Sequence, residues 1–118
     1  MLGPAKGNNL KNIQAYNNTT DGIFISNNSK NVTLNNIQTY NNGQQGLNLS
    51  STTKSVLNNI QAYNNNMRGI QISDTSSGNI LNNIQSYNNG SGGITLDVTS
   101  TGNTYYGNLS LFGNTSTI

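Results

Sequence analysis

Apolar residues fall along this chain in short bursts at a near-constant interval, and within each burst they alternate with polar ones. The segments KNIQAYNN, NNIQTYNN, NNIQAYNN and NNIQSYNN begin at Lys11, Asn35, Asn58 and Asn82, in steps of 24, 23 and 24, and a degenerate copy, GNLSLFGN, begins at Gly107, a step of 25. After each of the first four copies a glycine opens an alternating run: Gly22-Ile-Phe-Ile-Ser, Gly46-Leu-Asn-Leu-Ser, Gly69-Ile-Gln-Ile-Ser and Gly93-Ile-Thr-Leu-Asp. A Ser/Thr/Asn/Gly stretch follows, and then a third apolar signal at Val32 and Leu34, Val56 and Leu57, Ile80 and Leu81, and Tyr105 and Tyr106. Period-2 alternation bounded by turn residues specifies strands, and no segment carries a 3.6-residue apolar period long enough for a helix.

Self-similarity at this period is the mark of a solenoid. The expectation is an all-β fold, a right-handed, single-stranded parallel β-helix of about five coils with three strands per coil and roughly 24 residues per coil, over residues 10–118. Residues 1–9 are read as an N-terminal extension or cap. Equivalent strands on successive coils would lie about 4.8 Å apart, giving a rod roughly 24 Å long. The right hand follows from the near-universal handedness of parallel crossovers. A leucine-rich repeat has an overlapping period, and Leu34, Ile37 and Asn42 fit its spacing, but Thr39, Ala62 and Ser86 occupy its next apolar position and no convex helix is available.

Stacking explains the composition. Of 118 residues, 26 are Asn, whereas charged residues make up 7% and apolar ones 31%, so neither a charge-coated surface nor a broad globular core can form. A column of like charges at strand spacing repels itself, while a column of amides hydrogen-bonds from coil to coil. Asparagine ladders are therefore expected through Asn12, Asn36, Asn59, Asn83 and Asn108 and through Asn18, Asn42, Asn65, Asn89 and Asn114, with a glutamine ladder through Gln14, Gln38, Gln61 and Gln85. Ile13, Ile37, Ile60, Ile84 and Leu109 form an interior column.

The pattern N-N-I-x-x-Y-N-N-x3-G-I-x-I-S, carried from about Leu10 to Asn114, resembles the parallel β-helix repeat of secreted and surface carbohydrate-active proteins, including pectate-lyase-like enzymes, mannuronan epimerases and NosD-like periplasmic proteins. The resemblance implies the scaffold and an association with polysaccharides. The catalytic Asp, His, Arg or Lys motif of the enzymatic relatives has no counterpart here, where His and Glu are absent.

Charge and chemistry add little beyond this. Five basic and three acidic residues give a net charge of +2, with no clustered basic patch of the kind that binds nucleic acid. No cysteine is available for a disulfide or a thiolate metal site. The longest apolar run, Ile23-Phe24-Ile25, is far too short to span a membrane. Residues 1–20 hold no signal-peptide core, so the signal of a secreted protein would lie on a longer parent chain or have been removed. Asp74 and Asp97, on neighbouring coils and offset by one position, are read as turn caps, with calcium held jointly with backbone carbonyls as the functional alternative. Asp21 and Arg68 are read as solvated loop residues at equivalent positions two coils apart, and Lys30 and Lys54 as a pair in register on a turn. The outer row Phe24, Asn48, Gln71 and Thr95 is too mixed in type for a repeated ligand platform.

The tentative ligand-binding residues are Tyr16, Tyr40, Tyr63 and Tyr87, with Gln14, Gln38, Gln61 and Gln85 beside them. Such a tyrosine column, continued by Phe112, either meets the sugars of a polymer, one per coil, or is an aromatic stack holding the coils together. The expected function is that of a non-enzymatic extracellular or cell-surface solenoid, serving as spacer or weak polysaccharide-binding module and needing no cofactor. The alternatives are a filament subunit that stacks end to end with copies of itself, because solenoid ends expose unpaired strands unless capped, and the remnant of a polysaccharide lyase or epimerase.

Overall fold

A computed structural model describes residues 6–114. Nine strands follow one another: β1 (Asn9–Tyr16), β2 (Ile23–Ile25), β3 (Thr33–Tyr40), β4 (Leu47–Ser50), β5 (Val56–Tyr63), β6 (Ile70–Ser73), β7 (Ile80–Tyr87), β8 (Ile94–Leu96) and β9 (Thr104–Ser110). Odd-numbered strands form a five-stranded sheet in the order β1-β3-β5-β7-β9, and even-numbered strands form a four-stranded sheet in the order β2-β4-β6-β8. All pairing is parallel and in the repeat register, for example Ile13 opposite Ile37, then Ile60, then Ile84. Coil stacking is already under way at Lys6, which bridges to Lys30. Residues 1–5 of the expected N-terminal extension and residues 115–118 lie outside the described residues.

The third apolar signal of each coil runs into the first signal of the next. Thr33–Tyr40, for instance, is a single eight-residue strand bent at Asn36. The bend residues Asn12, Asn36, Asn59 and Asn83 have φ of 56°, 57°, 56° and 56°, the left-handed conformation that Asn tolerates far better than other residues with a side chain. The leading Asn-Asn of the repeat is therefore a hinge within a strand. A second left-handed column, Asn17, Asn41, Asn64 and Asn88, ends each long strand at the corner.

Inward-facing residues fill a narrow core. Leu34, Leu57 and Leu81, Ile37, Ile60 and Ile84, and Leu47, Leu49, Ile70, Ile72 and Ile94 are all essentially inaccessible. Full burial of each such side chain is worth about 1.5–3 kcal/mol. The third apolar signal is not uniform: Leu34, Leu57, Leu81 and Tyr105 share the inward column, whereas Val56 and Ile80 continue the outward column of Thr33. Val32 lies inward at the corner, where the next coils place Ser55 and Asn79; their side chains accept from the backbone N–H of Val32 (3.0 Å) and Ser55 (2.9 Å).

Two register expectations are corrected. Lys30 pairs with Thr53 rather than Lys54; Lys54 is left-handed (φ 55°), in a corner column whose neighbours Asn31 and Gly78 are the residue types that best tolerate that conformation. In the last coil the left-handed bend falls on Gly107 (φ 63°), not Asn108. The pairing slips between Asn82 and Ile84, so β9 carries a bulge, and this accounts for the step of 25. A Cβ at Gly107 would stand 2.3 Å from Oδ1 of Asn83, so this position suits glycine on two counts. Asn108 consequently meets Asn83 through its backbone N–H, 3.1 Å from Oδ1, rather than by extending the ladder.

Candidate functional site

The outer face of the five-stranded sheet gathers every sequence-predicted ligand-binding residue. Gln14 and Tyr16 are two apart on β1 and so share one face, and the same holds for Gln38 and Tyr40, Gln61 and Tyr63, and Gln85 and Tyr87, each in register with the coil before. Because the strand bends one residue before the isoleucine, the bend asparagines and the glutamines flank that isoleucine as two walls. They enclose a groove of about 410 Å³, closed below by Ile13, Ile37 and Ile60.

Both walls are amide ladders. Nε2 of Gln14 donates to Oε1 of Gln38 (3.1 Å), Gln38 to Gln61 (3.2 Å) and Gln61 to Gln85 (3.2 Å). On the opposite wall the direction is reversed: Nδ2 of Asn36 donates to Oδ1 of Asn12 (3.1 Å), Asn59 to Asn36 (3.1 Å) and Asn83 to Asn59 (3.2 Å). The groove therefore lies between two rows of amide dipoles that run antiparallel. An amide has two N–H donors and two acceptor lone pairs, so Gln38, Gln61, Asn36 and Asn59, each spending one of both along its ladder, keep one N–H and one lone pair. The glutamine wall was legible in the repeat. The asparagine wall was legible only as a ladder, since its place in a groove depends on the left-handed bend, for which Gly107 at the matching position of the last copy was the available signal.

Beside the glutamines, the rings of Tyr16, Tyr40, Tyr63, Tyr87 and Phe112 are stacked, with centroids 4.8–5.0 Å apart and planes within 6° of parallel. Neighbouring rings cover each other's faces, leaving edges and hydroxyls to solvent. Burial, and next the nearby Tyr87 and Tyr40, push the Tyr63 hydroxyl above the usual tyrosine range. Tyr105 belongs to the inward column instead, and burial raises its pKa as well.

The carboxylates are each engaged. Asp21 is not simply solvated: Oδ1 accepts from the backbone N–H (3.0 Å) and Nε2 (3.2 Å) of Gln45, and Oδ2 accepts from Nδ2 of Asn48 (2.9 Å), tying the first coil to the second. Asp74 accepts from the hydroxyls of Ser50 (2.6 Å) and Ser73 (3.2 Å). Asp97 accepts from the backbone N–H of Asp74 (2.8 Å) and from the N–H (3.1 Å) and hydroxyl (2.8 Å) of Thr99, as a turn cap does. These bonds, the one from Asp74 foremost, hold its pKa down at about 2. No group of three or more His, Cys, Asp or Glu side chains gathers among the described residues.

The family model described as right handed beta helix region matches residues 1–116. No curated protein and no solved structure matches the chain. With parallel coils stacked in register through the described residues, the chain belongs to the right-handed beta helix family.

Proposed function

We propose that this protein is a non-enzymatic β-solenoid, extracellular or on a cell surface, whose groove between the Asn36 and Gln38 columns binds polysaccharide weakly. The observation that carries the reading is the groove itself: about 410 Å³, walled along the rod by amides fixed by their neighbours, with tyrosine hydroxyls beside it. Its rungs repeat at strand spacing, about 4.8 Å, close to the advance of one sugar in an extended polymer. Because the rung bonds already fix the side chains, binding costs little further rotamer entropy. Sugars would meet ring edges and hydroxyls rather than ring faces. The carboxylates support a non-enzymatic role, since each is occupied in joining coils or capping a turn.

A glycan array tests this. Binding by the parent protein should be lost in the double variant Gln38→Ala, Gln61→Ala and weakened in Tyr40→Ala. Retention of full binding in the glutamine double variant removes the groove from consideration.

The ends of the rod favour end-to-end self-assembly as a second reading. Leu10 and Ile13 toward one end, and Leu109 toward the other, are partly or largely exposed where their counterparts within the stack are buried. The ladder Asn18-Asn42-Asn65-Asn89-Asn114 is polar, each Nδ2 donating toward the C-terminal coil. Among the described residues, Asn114 Nδ2 at one end donates only to the Ser86 carbonyl (2.7 Å), and Asn18 Oδ1 at the other has no donor. Head-to-tail stacking would join them. Light scattering across a dilution series checks this reading, which predicts concentration-dependent growth.

A further inference from the structure

We propose that the groove selects a neutral, extended polysaccharide over a polyuronate, an inference that rests on the polysaccharide reading above. The groove is lined by Asn, Gln and Ile alone, and none of the five basic and three acidic side chains of the chain lines it. Lys11 is the one basic residue on the five strands of this sheet, and Asn35, Asn58 and Asn82 follow it in register. A polyuronate brings one carboxylate per sugar. Each would be partly desolvated against the walls with no cation to compensate it.

Hydrogen-bonding capacity points the same way. Each central ladder amide retains one donor and one acceptor beyond those its ladder uses. A sugar hydroxyl both donates and accepts and can satisfy both. A carboxylate only accepts, so it would engage the N–H groups while setting its oxygens against the amide carbonyls. The dipoles of the two walls oppose each other, so their long-range fields largely cancel and neither sign of charge is drawn in. Both walls have a rung on four coils, at Asn12 and Gln14, Asn36 and Gln38, Asn59 and Gln61, and Asn83 and Gln85. At one sugar per rung, affinity should grow with oligomer length up to about four sugars at the strand spacing.

The test is titration calorimetry of the whole chain with cello-oligosaccharides and with oligogalacturonates of equal length, at low and high salt. The expected result is tighter binding of the neutral oligomers by about tenfold or more, unchanged by salt because no ion pair forms, and a shift of preference toward galacturonate in Gln61→Lys. Gln61 is half-buried on the outer face of the sheet, clear of the core, so a lysine there can extend into solvent, and circular dichroism verifies that the variant folds. Galacturonate binding as tightly as the neutral oligomer, with that binding lost in Gln38→Ala, Gln61→Ala, overturns the selectivity and leaves the polysaccharide reading standing. Failure to bind either oligomer, or binding indifferent to the glutamine double variant, overturns both.

Discussion

Asn65 is a central member of the buried ladder, and replacing it tests whether buried amides hold the coils together. It lies on the third coil, 2% exposed, and its side chain uses all four of its hydrogen-bonding positions. Oδ1 accepts from the backbone N–H (3.2 Å) and Nδ2 (2.9 Å) of Asn42; Nδ2 donates to the Thr39 carbonyl (3.2 Å) and to Oδ1 of Asn89 (3.0 Å). In Asn65→Ala, Asn89 keeps the bond from the backbone N–H of residue 65 (3.1 Å). The two donors on Asn42 are stranded in the interior, and the Thr39 carbonyl loses this donor. A buried polar group left unsatisfied costs about 1–3 kcal/mol, so the two donors alone make the loss about 2–6 kcal/mol, the lower figure applying where a water takes the place of the amide. With a urea slope of about 2 kcal/mol/M for a domain of this size, the midpoint falls by about 1–3 M, a large share of the usual stability of a small domain.

Asn59→Gly on the same coil is the control. It removes two exposed rungs of the groove wall and keeps the left-handed bend (φ 56°), so it should change stability by no more than about 0.5 kcal/mol. Urea unfolding followed by far-ultraviolet circular dichroism measures both. A loss below about 1 kcal/mol for Asn65→Ala, or one equal to that of Asn59→Gly, refutes the assignment of coil cohesion to the buried ladder. The near-isosteric Asn65→Asp sharpens the test, because it places a carboxylate oxygen where Nδ2 now faces two acceptors. The introduced acid should have a folded pKa above its unfolded value near 4. The variant should therefore be most stable below about pH 4 and lose stability as pH rises through the folded pKa.

Asp97 should behave oppositely: its folded pKa, about 2, lies below the unfolded value near 4, so its contribution is present above about pH 4 and lost as pH falls toward 2. Asp97→Asn should flatten the dependence of the urea midpoint on pH in that window. In the aromatic stack, Tyr63→Phe should be nearly neutral, since Phe112 already continues the column without a hydroxyl, while Tyr63→Ala breaks two ring contacts and should cost about 2–4 kcal/mol by urea unfolding. Gly69→Ala would set a methyl 1.8 Å from Oγ of Ser86 and 2.8 Å from the Gly93 carbonyl. It should lower stability by about 1–3 kcal/mol, with only part recovered when Ser86→Gly is added, because the carbonyl cannot yield.

The sequence displayed the scaffold because a solenoid places the same residue in the same environment on every coil, so each structural need is written four or five times. Ile13, Ile37, Ile60 and Ile84 could be assigned to one inward column with no structure at all, and Tyr16 through Phe112 to one aromatic column. What repetition did not reveal was backbone conformation. Asn36 and Asn42 look alike in the text, yet the first is an exposed hinge in left-handed geometry and the second a buried, fully bonded ladder member. The difference lies in dihedral angles and in which face a corner turns inward. The same blindness put Lys54 beside Lys30 and Asn108 in the bend column, each wrong by one residue where a step of 23 or 25 moved the slip into a turn or a bulge.

Chemistry is harder to read than architecture for a related reason. A catalytic centre needs unlike groups at one place, whereas this repeat puts like groups at every place, and the neutral amide is the polar group that tolerates such stacking. Gln38 and Asn36 are thus explained twice, by the ladder they complete and by the groove they wall, and only the N–H and lone pair that the ladder leaves over on each can serve a ligand. Structural need and binding capacity separate at those atoms. Removing those groups at Gln38 and Gln61 should abolish glycan binding at little cost in stability, while Asn65→Ala should do the reverse per folded molecule.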